Sequence, residues 1–156
     1  AASDVYKRQD IKNTYVPDGT NPDADACCSA YNTLLENIGT VDLQLLGIGP
    51  NGHIGFNEPG ESFDKQVHCV NLTESTIEAN KRFFAAADDV PKQAYTMGIK
   101  TIMQAKKILI VASGEDKAEI VHKAFFGPIT PQVPASVLQL HNDVTLVADE
   151  AALSCL

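Results

Sequence analysis

The chain has 156 residues, 44% of them hydrophobic and 21% charged, ordinary values for one globular domain with a real core. Its net charge of −8 argues against a nucleic-acid or anionic-membrane partner, though not against a small anion held by a few local basic groups. No apolar run approaches the roughly 20 residues of a membrane span, residues 1–9 contain no secretory-type apolar stretch, and Cys27, Cys28, Cys69 and Cys155 follow neither a zinc nor a redox spacing, so the thiols read as reduced and the protein as cytoplasmic.

In chain order, Pro22 and Asp23 open a helix that gathers Cys27, Tyr31, Leu34, Leu35 and Ile38 on one face and stops at Gly39. Val41 to Leu46 reads as a buried strand ending at Gly47, and Val67 to Leu72 as a second strand. Thr73 or Ser75 can cap a helix running to about Phe84, because a hydroxyl satisfies free N–H groups of the first turn. Lys107 to Ala112 is a strand rich in β-branched residues, which Ser113 and Gly114 turn into a helix from Glu115 to Phe126. A short helix near Pro134 to Leu140 precedes a last strand, Val144 to Ala148. Strands alternating with helices predict an α/β fold, a mostly parallel sheet with helices on both faces.

Ligands of such sheets sit beyond the carboxyl ends of the strands, which directs attention to the residues after Leu46. The stretch Gly47 to Gly60 holds five of the chain's ten glycines, a density that suggests unusual backbone conformations or close approach to a ligand. Among them stand Asn51, His53, Asn57 and Glu58. Gly47-Ile48-Gly49-Pro50-Asn51-Gly52 formally matches the dinucleotide fingerprint, with Glu74 near the spacing of a ribose contact. That motif needs a helix opening at its third glycine, and Gly55, Pro59 and Gly60 forbid a long one. A structural loop with an incidental histidine is the other plain reading. An imidazole beside an amide and a carboxylate at a strand's end points instead to acid–base chemistry.

The run from Leu46 to Gly60 resembles the signature loop of glucosamine-6-phosphate deaminases. The resemblance continues through Ala79 to Phe84, Val90 to Lys92, Thr96 to Ile99, Ser113-Gly114 with Lys117-Ala118, and Pro134 to His141, and so covers about residues 11–150. The related 6-phosphogluconolactonases share the Gly-x-Gly-x-x-Gly-His core, then continue Thr-Ala-Ser-Leu-Phe-Pro where this chain has Ile54-Gly55-Phe56-Asn57-Glu58-Pro59.

The resemblance implies conversion of glucosamine 6-phosphate and water to fructose 6-phosphate and ammonia, with a small sugar phosphate as partner and no metal or organic cofactor. It implies that His53 moves a proton between the ring oxygen and the anomeric hydroxyl, and that Glu58 belongs to the same relay. Asn51 stands where a common version of the motif has aspartate; its amide can orient the imidazole through a hydrogen bond. Arg82 and Lys117 match the family's phosphate-binding arginine and lysine, the first as a bidentate fork and the second in the first turn of a helix. A lactonase or another sugar-phosphate isomerase on the same fold, and a non-catalytic sugar-phosphate-binding module, are the alternatives. The family's Gly-Gly-Thr-Pro phosphate loop, and its Asp-Glu-Tyr segment whose aspartate removes the C2 proton, occur nowhere in the sequence. Residues 10–156 are therefore expected to be the C-terminal part of a single domain truncated at its N-terminus, behind an unmatched leader at 1–9, and inactive alone. The basic effector residues that some members carry after the loop are lacking in Gln66 to Val70, so that regulation is not expected.

Overall fold

The computed structural model describes residues 10–64, 66–86 and 89–156; the leader assigned to residues 1–9 lies outside them. Helix α1, Ala24–Ile38, starts where the Asp23 carboxylate accepts the Ala26 N–H at 2.9 Å and ends at Gly39, whose φ of 85° suits a residue without a side chain. It buries Cys27 and Cys28. Ile38, expected on the same face, is exposed in the last turn before Gly39, while α1 packs on strand β2, His68–Asn71.

Strands β1 (Leu43–Gly47), β4 (Lys107–Ala112) and β5 (Val144–Ala148) form a parallel sheet in the order β1-β4-β5. Its register aligns Leu46 with Ile110 and Ile110 with Leu146. Side chains alternate across a strand, so Leu46, Ile108, Ile110 and Ala112 enter the core while Leu43, Leu45, Val111 and Val147 lie exposed on the other face. Helices α3 (Ile99–Met103) and α4 (Ala118–Phe126) cover the core face through Ile99, Ile102, Ile120, Val121 and Ala124. Between these elements, β2 pairs antiparallel with β3, Gln93–Thr96. The α/β class and the mostly parallel sheet thus hold.

Several boundaries differ from the expected ones. The helix after Thr73, α2 (Glu74–Asn80), tightens into a 3-10 turn over Lys81–Phe83 instead of continuing to Phe84. The segment Glu115–Lys117 is also a 3-10 turn, leading into α4, and Pro134–Leu140 is 3-10 throughout. Strand β3 and helix α3 were not legible, since four and five residues give too few repeats for a period to show.

Ile54, in the middle of the glycine-rich loop, is fully buried in the main core. Burying one isoleucine is worth about 1.5–3 kcal/mol, so the loop is anchored from within. Among the described residues no helix is long and apolar enough to cross a membrane.

Candidate active site

The chain leaves β1 at Gly47 and folds back on itself at once. The Gly49 N–H donates to the His53 carbonyl and the Gly52 N–H to the Gly49 carbonyl, both at 2.9 Å. Gly52 takes a φ of 86°, a conformation that penalises any side chain. A Cβ at Gly49 would run into the imidazole of His53, so this glycine is the floor on which the ring lies. Further contacts fix the rim of the loop. Phe56 N–H donates to Thr96 Oγ1 at 3.0 Å, and the Asn57 amide donates to the carbonyls of Ile54 and Met97, both at 2.8 Å. On the other side Ala135 N–H reaches the Gly52 carbonyl at 2.9 Å, and Gly60 N–H reaches that of Pro131 at 3.1 Å. Asn57 is therefore a brace of the loop.

Within this frame the side chains of His53, Glu58 and Asn51 come together. His53 Nδ1 faces Glu58 Oε2 at 3.5 Å, with only 15% of the imidazole and 7% of the carboxylate side chain exposed. Asn51 Nδ2 donates to the same Oε2 at 2.7 Å, and Asn51 Oδ1 accepts the backbone N–H of His53 at 3.2 Å. The amide therefore grips the carboxylate and the backbone, whereas the sequence suggested a bond to the imidazole itself. The reason is local: residues 51 and 53 lie two apart in a tight turn, where an Asn side chain reaches the second backbone N–H onward. The helix after β2 supplies two further groups. Thr76 Oγ1 donates to Glu58 Oε1 at 2.6 Å and lies 3.5 Å from His53 Nδ1, while Thr73 Oγ1 stands 3.4 Å from Glu58 Oε2. Sequence reasoning saw Thr73 only as a helix cap and did not single out Thr76. The available signal was their spacing of three, which puts both hydroxyls on one face of the first turn.

Burial pushes the His53 pKa below its ordinary value; the Glu58 carboxylate opposes this and the Lys117 ammonium adds to it. The neutral imidazole, able to accept a proton, is thereby favoured near neutral pH. Lys117 ends the 3-10 turn before α4, and its side chain is 19% exposed. The loop that carries it is tied down by Asp149, which accepts the Ser113 hydroxyl and the Gly114 N–H; that anchor was not foreseen. Since Lys117 depresses the histidine, Lys117→Met should raise the His53 pKa and reduce the neutral fraction at a given pH. NMR titration of the imidazole reads this directly, and an unchanged or lower pKa would mean that the ammonium does not act on His53.

Arg82 is not brought to this cluster. It lies exposed in the 3-10 turn at the far end of α2, with its guanidinium 4.8 Å from the ring centre of Phe83. Among the described residues no group of three or more His, Cys, Asp or Glu side chains could hold a metal ion.

Chemically, a buried neutral imidazole backed by a carboxylate can accept a proton at one ring nitrogen while the carboxylate supports the resulting charge. Residues 3–147 match the family described as glucosamine-6-phosphate isomerases/6-phosphogluconolactonase. The glucosamine-6-phosphate deaminase of Lachnoclostridium phytofermentans is 58% identical over 136 residues, which is 87% of this chain and 58% of that protein. That of Clostridium perfringens is 52% identical over 147 residues, 94% of this chain and 61% of that protein. The chain thus spans about three fifths of the length of these curated relatives. A solved monomeric glucosamine-6-phosphate deaminase superposes with a TM-score of 0.91 at 48% identity, covering 94% of this chain and 61% of its own. A 6-phosphogluconolactonase from Trypanosoma brucei superposes at 0.64 with 22% identity over 88% of this chain and 56% of its own, a likeness of fold alone.

Proposed function

The chain belongs to the glucosamine-6-phosphate isomerase/6-phosphogluconolactonase family, and on that premise we propose that it carries the ring-opening half of a cytoplasmic glucosamine-6-phosphate deaminase. The observation that carries this reading is the pairing of His53 Nδ1 with Glu58 Oε2 inside a loop where Glu58 itself belongs to the run that separates deaminases from lactonases. The reaction takes glucosamine 6-phosphate and water to fructose 6-phosphate and ammonia. Opening the pyranose moves a proton from the anomeric hydroxyl to the ring oxygen. His53 takes the first proton as a neutral base and returns it as an acid, and Glu58 steadies the transient imidazolium. Asn51 holds the carboxylate in line without adding a second negative charge.

Isomerisation then requires removal of the C2 proton, a task for which the 156 residues contain no Asp-Glu-Tyr segment. We propose that residues 10–156 serve the ring-opening step and that the chain by itself releases no ammonia. On this reading the substrate phosphate is met by Lys117, at the start of a helix beside the relay, and by the exposed Arg82 at the far end of α2.

Arg82→Ala in the full-length protein should weaken binding of the 6-phospho sugar by about 1.5–3 kcal/mol, the scale of a hydrogen bond to a charged group. Unphosphorylated glucosamine should bind as before. Calorimetry with both ligands decides, and an equal loss for the two would make Arg82 structural. The function itself is tested by giving the full-length protein glucosamine 6-phosphate and 6-phosphogluconolactone in turn. Ammonia and fructose 6-phosphate from the first support the deaminase; lactone hydrolysis without ammonia would replace it by the lactonase reading.

A further inference from the structure

We propose that Thr76 is a positioning residue of the His53–Glu58 relay, its hydroxyl fixing one carboxylate oxygen so that the other faces the imidazole. The proposal rests on the ring-opening reading of the site for its catalytic meaning, but its geometry stands independently. Thr76 is 2% exposed. A hydroxyl has one proton to give, and the short 2.6 Å contact to Glu58 Oε1 claims it. The oxygen of Thr76 is then left as an acceptor, 3.0 Å from the Thr73 hydroxyl and 3.5 Å from His53 Nδ1. Thr73 Oγ1 also accepts the Thr76 backbone N–H as the cap of α2. The first turn of α2 is therefore tied to the carboxylate through Thr76, whose own backbone N–H is held by the cap residue Thr73.

Two consequences follow from that proton count. Glu58 cannot rotate without breaking the bonds to Thr76 at Oε1 and to Asn51 at Oε2, so the carboxylate is held at both ends. The two polar atoms facing His53 Nδ1, Glu58 Oε2 and Thr76 Oγ1, are both acceptors toward it. Nδ1 is thus the nitrogen that keeps the proton in the neutral ring, and Nε2 is left bare as the base. An arrangement of this kind sets the tautomer, which decides whether a histidine can act at all.

Thr76→Val keeps the shape and removes the hydroxyl; Thr76→Ser keeps the hydroxyl. In the full-length protein, Thr76→Val should lower kcat for glucosamine 6-phosphate by about 10- to 100-fold, the factor associated with a hydrogen bond to a charged group, with KM little changed. Thr76→Ser should restore most of it. Nitrogen-15 spectra of the imidazole at neutral pH give a readout that needs no activity. The wild type and Thr76→Ser should show a protonated Nδ1 and a bare Nε2, whereas in Thr76→Val the two nitrogen shifts should move toward each other as the tautomers mix. Thermal melting confirms that each variant is folded, and the serine variant carries the test if the valine one is not: Thr76→Ser spectra without a protonated Nδ1 would then overturn the proposal. Identical spectra in all three folded proteins would also overturn it, even if ammonia release were normal. Absence of ammonia release from the wild type, with the spectra as expected, would remove the deaminase reading and leave the positioning role intact.

Discussion

Replacing His53 by Gln in the full-length protein should lower turnover of cyclic glucosamine 6-phosphate by about 10²–10⁴-fold, the usual worth of a positioned acid–base group. The expectation follows from the surroundings of the ring. Only 15% of the imidazole is exposed, so bulk water cannot readily substitute for it, and burial keeps it neutral and able to accept a proton. Glutamine preserves the approximate size and a hydrogen-bonding end but cannot carry a proton at neutral pH. The carboxylate of Glu58, held by Thr76 and Asn51, would remain in place, so the loss measures the imidazole and not a collapsed site. Steady-state ammonia release reads the effect. A loss of less than about threefold would remove His53 from the chemistry, since general acid–base groups contribute far more.

Gly49→Ala should be nearly as damaging although the residue carries no functional group. The added methyl would occupy the space of the His53 ring. That glycine is also tied to residue 53 by its own N–H, which donates to the His53 carbonyl at 2.9 Å, so it cannot move away without undoing the turn. The imidazole must swing off instead. A displacement of about 1 Å at a catalytic group can cost about 10²-fold, and here the ring loses its place entirely. The effect should fall on kcat, and the pKa of His53 should rise toward its ordinary value as the ring becomes exposed, since burial is the largest cause of its depression. Activity within about threefold of wild type would show that the ring does not work from the position it occupies over Gly49, given the rate loss that such a displacement carries.

The longer elements were legible because each carried its own punctuation. Asp23 and Gly39 bracket α1, and the strand Lys107–Ala112 was read to the residue. What could not be read was either too short or depended on contacts distant in sequence. Strand β3 shows no period in four residues, yet its Thr96 bonds Phe56, forty positions away. The site divides the same way. His53, Glu58 and Asn51 lie within eight residues; glycine density marked their loop, and the residue types and the family resemblance singled them out within it. Thr76 reaches Glu58 from another element, and Asp149 ties the Lys117 loop from the end of β5; neither shares a local pattern with its partner. The direction of Asn51 was misjudged because sequence shows which residues neighbour one another in a turn but not which atom each side chain meets.

The proposed ring-opening role of His53 and Glu58 is one step of several, and comparing two substrates in one variant measures it directly. His53→Gln in the full-length protein is assayed on cyclic glucosamine 6-phosphate and on an open-chain analogue that needs no ring opening. The loss of about 10²–10⁴-fold on the cyclic sugar should shrink to a small factor on the open one, because the step that needs the imidazole has been bypassed. Equal losses on both would contradict the ring-opening role and place His53 in a later proton transfer.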